Sequence, residues 1–149
     1  MFASHMDAAL AEARAAAARG EVPVGAVVAG PAGLFAAGNR TRELNDPTAH
    51  AEILAIRAAC ASARSERLPG HSIWVTLEPC AMCAAAIAAA RLGRLIYGAP
   101  DPKSGGVAHG ARVLDHPQAH HALEVVEGVG AAESAALLRA FFAGRRAAP

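Results

Sequence analysis

Two short segments limit most strongly what this chain can fold into. The first is H-A-E at positions 50–52, and the second is P-C-A-M-C at positions 79–83. An acidic residue and a proline stand at 46–47 and again at 78–79. Asp is a common helix cap and Pro suits the first helical position, so each segment is predicted to lie at the start of a helix.

The residue types in these segments are metal ligands. Cys80 and Cys83 are three positions apart and share one face of a helix. A helix N-terminus favours their thiolate forms, because its dipole stabilises negative charge. With His50 they make three ligands, which leaves a fourth tetrahedral position for water, the arrangement of a catalytic zinc site. We expect one Zn²⁺ per subunit, although iron and cobalt accept similar ligands.

Glu52 is the candidate proton carrier beside this metal. In an ordinary helix, residues two apart point to nearly opposite sides, so His50 and Glu52 must approach the site by different routes. A long carboxylate near a zinc-bound water suits general acid and base catalysis. A structural zinc site or two buried thiols would be the alternative, but a structural site needs a fourth Cys or His nearby.

Length and composition predict one catalytic domain spanning residues 1–149. The residues are 54% hydrophobic but only 4% aromatic, so Ala, Val, Leu and Ile must build the core. A net charge of +1 argues weakly against a large phosphate-binding surface. Three cysteines with one C-x-x-C pair do not suggest a disulfide framework. No apolar run reaches the length of a membrane span and no signal peptide is apparent, so we expect a cytoplasmic protein without membrane contact.

Periodicity predicts helices and strands in alternation. The predicted helices cover about 6–19, 46–63, 79–91 and 131–146, and the predicted strands about 22–28, 34–35, 71–77, 95–97 and 123–126. Such alternation is typical of an α/β layered domain.

H-x-E followed by P-C-x-x-C is the signature of zinc nucleobase deaminases. The chain resembles the cytidine/deoxycytidylate deaminase superfamily and, within it, the bacterial tRNA-specific adenosine deaminases. The resemblance rests on E-V-P-V-G-A-V at 21–27, G-N-R at 38–40, D-P-T-A-H-A-E-I at 46–53, V-T-L-E-P-C-A-M-C at 75–83, D-P-K-S-G-G at 101–106 and E-S-A-A-L-L-R-A-F-F at 133–142.

This resemblance implies a three-layer α/β/α cytidine-deaminase-like fold, with a five-stranded mixed sheet flanked by helices, and a homodimer. It also implies an activity, conversion of the wobble adenosine of a tRNA anticodon to inosine. In such a reaction zinc-hydroxide attacks C6 and ammonia leaves.

The resemblance assigns roles residue by residue. His50, Cys80 and Cys83 would hold zinc, and Glu52 would move protons. The backbone around Val24 to Ala26 and the Leu77-Glu78 turn would shape the base pocket. The residues expected to contact the tRNA anticodon arm are Asn39, Asp101, Lys103, Ser104, Arg145 and Arg146.

Two other functions remain open on the sequence alone. One is a zinc-dependent deaminase of a free base or nucleotide, of the guanine or cytosine type, which would use the same metal and glutamate. The other is a non-catalytic deaminase-like subunit, which could dispense with Glu52. His116, His120 and His121 lack acidic or Cys partners at ligand spacing and are interpreted as loop residues.

Overall fold

The computed structural model describes residues 4–147, which form one mixed sheet between two helical layers. The elements in chain order are α1 (Met6–Ala18), β1 (Gly25–Gly30), β2 (Gly33–Gly38), α2 (Ala51–Ala63), β3 (Ser72–Leu77), α3 (Ala81–Ala89), β4 (Arg94–Ala99), β5 (Glu124–Val126) and α4 (Ala131–Ala147). A short 3₁₀ turn at Val113–Asp115 precedes β5.

The sheet has the strand order β2-β1-β3-β4-β5. Strand β1 is antiparallel to both β2 and β3, whereas β3, β4 and β5 run parallel. The predicted five-stranded mixed sheet is therefore confirmed, and its first two strands form a hairpin.

Strand residues alternate between two apolar layers, as the period of two requires. Helices α2 and α3 cover one face of the sheet, where Val28, Ile73 and Leu95 are buried. Helices α1 and α4 cover the other face, where Val27 and Trp74 are buried. The three-layer α/β/α arrangement is confirmed.

Small residues allow the layers to approach closely. A Cβ atom on Gly25 would overlap the carbonyl oxygen of Ala9 in α1, so only glycine fits at this point of β1. The close approach compensates for the scarcity of aromatic side chains in the core, because contacts between backbones replace contacts between large side chains.

The two functional helices begin later than the sequence predicts. Helix α2 begins at Ala51, not near Asp46, and α3 begins at Ala81. The Asp46 carboxylate accepts hydrogen bonds from the backbone N–H and hydroxyl of Thr48, at 2.8 and 2.7 Å, and so closes a turn rather than capping a helix. This difference leaves His50 and Cys80 as the N-cap residues of α2 and α3.

Four connections meet at one edge of the sheet. Gly25 pairs with Gly38 across the hairpin, and Leu77 pairs with Ala99 in parallel register. The segments before β1 and after β2, β3 and β4 therefore emerge together. In α/β sheets, ligands bind beyond the carboxyl ends of the strands, which is where this edge lies.

None of the helices within residues 4–147 is both long and apolar enough to cross a bilayer.

Candidate metal centre and substrate pocket

His50, Cys80 and Cys83 come together from two helix N-termini. The Nδ1 atom of His50 lies 3.7 Å from Sγ of Cys80 and 3.4 Å from Sγ of Cys83. One ligand atom from each of the three residues lies within 4.8 Å of the others. Within the described part of the chain, no other group of three such residues meets this criterion.

Local backbone geometry explains how His50 and Glu52 serve one site. His50 has extended dihedral angles, φ −71° and ψ 154°, and so precedes the first helical turn. Glu52 lies inside that turn. The 100° per residue rule of the helix does not apply between them, so both side chains reach the same point. Cys80 has a similar extended conformation, φ −69° and ψ 173°, at the start of α3.

The protonation of the two thiols is coupled. The hydrogen bond from Cys83 is the main cause that lowers the pKa of Cys80 to about 4, and His50 adds to the effect. The same hydrogen bond, together with burial, raises the pKa of Cys83. Cys80 is therefore a thiolate at neutral pH, ready to coordinate a cation.

These donors fit a zinc ion. Zinc bonds sulfur at about 2.3 Å and nitrogen at about 2.0 Å, so a tetrahedral site separates its sulfur and nitrogen ligands by roughly 3.5 Å. The observed separations of 3.4 and 3.7 Å match that spacing. Two thiolates and one imidazole are also a donor set that favours zinc over hard cations.

Glu52 lies at the same place with one oxygen atom unsatisfied. The residue is only 3% exposed, and Oε1 has no hydrogen-bond partner among the described residues. Burial raises the pKa of its carboxyl group. An unsatisfied buried carboxylate oxygen is costly, and such groups are common where a substrate or solvent molecule is bound during a reaction.

A cavity of 220 Å³ opens above the metal-ligand group. An apolar protein cavity of about 150 Å³ holds benzene, so this space is large enough for a single planar base. The lining residues are Val22, Val24, Asn39, Thr41, His50, Glu52, Leu77, Glu78, Cys80, Asp101 and Ser104.

The predicted substrate residues fall into three groups. Asn39, Asp101 and Ser104 line the cavity together with the ligands and Glu52. Lys103 and Arg146 line an adjoining groove, which also contains Leu138 and the exposed ring of Phe142.

Arg145 lies apart from both spaces. Its guanidinium donates a hydrogen bond to the carbonyl oxygen of Gly20 and stacks on Phe141, 4.5 Å from the ring centroid. His121, one of the three loop histidines, has Nε2 2.7 Å from the carbonyl oxygen of Leu92 and does not line the cavity.

Two buried carboxylates hold the loops around the cavity, and sequence reasoning assigned this role to neither of them. Glu21 accepts hydrogen bonds from the backbone N–H groups of Arg42 and Glu43, at 3.1 and 2.9 Å. Glu78 accepts four backbone N–H groups from residues 101–109. Burial alone raises the pKa of each group, but the hydrogen bonds outweigh it and the net pKa is lowered. The only sequence signal is a charged residue placed at the end of an apolar run.

Comparisons with known proteins place this geometry in a family. A model of the MafB19-like deaminases matches residues 2–146. The tRNA-specific adenosine deaminase of Agrobacterium fabrum is 56% identical over 95% of this chain and 93% of its own length. That of Aquifex aeolicus is 42% identical, over 90% of this chain and 89% of its own length.

Solved structures agree. A tRNA:A34 deaminase, studied for A-to-I editing at the wobble position, superposes with a TM-score of 0.87 and 55% identity over 89% of this chain and 97% of that one. A guanine deaminase from Nitrosomonas europaea superposes with a TM-score of 0.80 and 25% identity over 96% of this chain and 87% of that one. The chain belongs to the family of tRNA-specific adenosine deaminases, within the cytidine deaminase-like superfamily.

Proposed function

We propose that this protein deaminates the wobble adenosine of a tRNA anticodon to inosine, with Zn²⁺ held by His50, Cys80 and Cys83. The observation that carries the proposal is the buried Glu52 carboxylate, with one oxygen unsatisfied, beside the His/Cys/Cys group and under a cavity of base size. A relative named tRNA-specific adenosine deaminase is 56% identical to the chain.

The proposed reaction adds water across the bond between C6 and N1 of adenine and releases ammonia. When bound, zinc supplies hydroxide near neutral pH by lowering the pKa of a coordinated water molecule. Glu52 would take one proton from the attacking water and deliver it to the ring nitrogen N1, so that the remaining hydroxyl group adds to C6. It would then take the proton of the new C6 hydroxyl group and transfer it to the departing amino group, so that adenosine and water yield inosine and ammonia. Its raised pKa suits this exchange, since a carrier must both accept and release a proton.

The walls of the cavity would bind the base and its neighbours. Asn39 is 6% exposed and offers amide groups at the lining, where they can hydrogen-bond the base or its ribose. The bases of an anticodon loop are single-stranded, so one of them can leave its stack at low cost. Asp101 and Ser104 line both the cavity and the adjoining groove, where the flanking nucleotides would bind.

The groove next to the cavity favours an RNA substrate over a free base. Lys103 and Arg146 bring positive charge to it, and Phe142, 43% exposed, offers a ring for stacking. Phosphate and stacking contacts of this kind are characteristic of single-stranded nucleic acid binding. Arg145 does not line the groove, but it lies next to Arg146 in α4 and its guanidinium is exposed. We therefore include it as a weaker phosphate contact. A guanine-type deaminase is the second candidate, supported by a structural neighbour of 25% identity.

We also propose that the enzyme is a homodimer formed through α3. Every residue of this helix is apolar or Cys, and helices that are apolar on all sides are normally buried on all sides. Ala85 and Ala89 are nevertheless exposed, and Met82 is 37% exposed. A second copy of the chain would cover them.

Residues 1–149 are proposed to act as one domain, because the cavity draws on segments from Val22 to Ser104. A cytoplasmic location is part of the same proposal, since tRNA is found there and thiol ligands stay reduced. Cell fractionation tests it, and recovery in an oxidising compartment would contradict it.

An anticodon stem-loop with adenosine at the wobble position should be converted to the inosine form. Free adenosine, guanine and cytosine should react far more slowly, because they cannot use the adjoining groove. Liquid chromatography of nucleosides after digestion measures the product, with the same stem-loop carrying wobble guanosine as control. Turnover of a free base with the stem-loop untouched would overturn the substrate assignment.

Glu52→Gln and Glu52→Ala variants should bind metal normally but lose about 10²- to 10⁴-fold in kcat, the usual contribution of a general acid or base. Metal quantification and single-turnover kinetics provide the two readouts. Glu133→Gln is the matched control, because that carboxylate is exposed and distant from the cavity. Full turnover by either Glu52 variant would refute the proposed proton transfers.

Ala85→Asp should convert the dimer to a monomer, because it places a charge in the centre of the exposed apolar face of α3. Light scattering coupled to size-exclusion chromatography gives the mass. Ala58→Asp, on the exposed face of α2, is the control and should leave the dimer intact. A wild-type protein that is monomeric at micromolar concentration would rule out the proposed dimer.

A further inference from the structure

The loop of residues 101–109 forms one wall of the substrate cavity, yet it belongs to no strand or helix. Its backbone N–H groups therefore need acceptors outside the regular ladder. Glu78 provides them for four of these groups. Its Oε1 accepts from the N–H of Asp101 at 3.1 Å, and its Oε2 accepts from those of Val107, Ala108 and His109 at 3.2, 3.1 and 3.1 Å.

The carboxylate of Glu78 is fully used by these donors. Nδ1 of His109 adds a fifth contact, at 2.7 Å from Oε1, and the Glu78 side chain has no exposed surface. Both oxygens are thereby occupied within the protein. Glu78 consequently does not present a free oxygen to a substrate, although it is a neighbour of the cavity.

The loop is also tied to the turn that carries the metal ligands. Gly106 donates its N–H to the carbonyl oxygen of Pro79, at 2.8 Å. A Cβ on Gly105 would overlap Oε2 of Glu78, and one on Gly106 would overlap the backbone nitrogen of Ala81. Glycine is needed at both positions for the loop to approach this turn so closely.

These contacts determine where the substrate-facing end of the loop lies. The Asp101 carboxylate accepts from the N–H groups of Lys103 and Ser104, at 3.2 and 3.0 Å, and so fixes the turn that follows. Asp101 is itself held through its N–H by Glu78. The chain of contacts runs from Glu78, two residues before the ligand Cys80, to the side chains at the cavity entrance.

We propose that Glu78 is a positioning residue for substrate binding: its carboxylate sets the 101–109 loop at a fixed distance from the metal ligands and so shapes the wall against which the base and its neighbours bind. The proposal rests on the proposed function for the identity of the substrate. It assigns Glu78 no part in proton transfer.

Glu78→Gln tests the proposal. The amide keeps the shape of the side chain but replaces one acceptor oxygen with an NH₂ group, which cannot accept hydrogen bonds from the N–H groups of the loop. We expect KM for the anticodon stem-loop to rise tenfold or more, with kcat within a factor of three and metal content unchanged. Hydrogen–deuterium exchange of the amides at 107–109 should accelerate at least tenfold, whereas that of α3 should not change. Glu66→Gln, an exposed carboxylate at 87% exposure, is the control.

Two outcomes would overturn the proposal. One is an unchanged KM with unchanged exchange at 107–109. The other is a fall in kcat and melting temperature at constant KM, which indicates a purely structural role. Activity of the wild-type enzyme on the same stem-loop tests the proposed function separately. Hydrogen–deuterium exchange does not depend on activity, so it tests the role of Glu78 even if the substrate is a different one.

A pair of variants at His109 keeps the test decisive if Glu78→Gln does not fold. His109→Asn retains a donor for Glu78 and should keep KM and exchange near the wild-type values. His109→Ala removes that donor and should raise KM about three- to tenfold, with faster exchange at 107–109. Equal values for the two variants would overturn the proposed role of the contact.

Discussion

The meeting of two helix N-termini at one edge of the sheet is the constraint on which the site depends. Each N-cap residue has an extended backbone and precedes the first helical turn. His50 and Cys80 can therefore face each other across the gap between α2 and α3. The positive ends of both dipoles lie at the same point and favour thiolate over thiol there. The sheet fixes the distance between the two helices, because both pack on the same face of it.

Three glutamates are buried in the described part of the chain, and their hydrogen bonds separate their roles. Both oxygens of Glu21 and of Glu78 accept backbone N–H groups from the neighbouring loops. Glu52 instead keeps one buried oxygen without a partner among the described residues. A charge buried with full compensation stabilises structure, whereas an uncompensated one has a cost that function must justify. The same residue type thus holds loops in two cases and, in the proposed reaction, carries protons in the third.

The metal-ligand group was predictable because its elements are local in sequence. C-x-x-C spans less than one helical turn, and the order of H-x-E and P-C-x-x-C is specific. The α/β class was predictable because strand-like apolar segments alternate along the sequence with segments of helical periodicity.

The exact helix starts were not predictable, because Asp46-Pro47 suits both a helix start and a turn, and only the packed loop decides between them. The roles of Glu78 and Glu21 in holding the loops were not predictable either, since their partners are backbone groups about 20 to 30 residues away. The position of Arg145 depends on a contact with Gly20 that no local pattern encodes.

X-ray absorption spectroscopy at the zinc edge, on protein purified without chelators, tests most directly whether these helix ends form a catalytic metal centre. We predict one zinc ion per chain, with two sulfur neighbours at about 2.3 Å and two nitrogen or oxygen neighbours at about 2.0 Å. A protein that contains no zinc, or a zinc ion surrounded by four protein ligands, would contradict it.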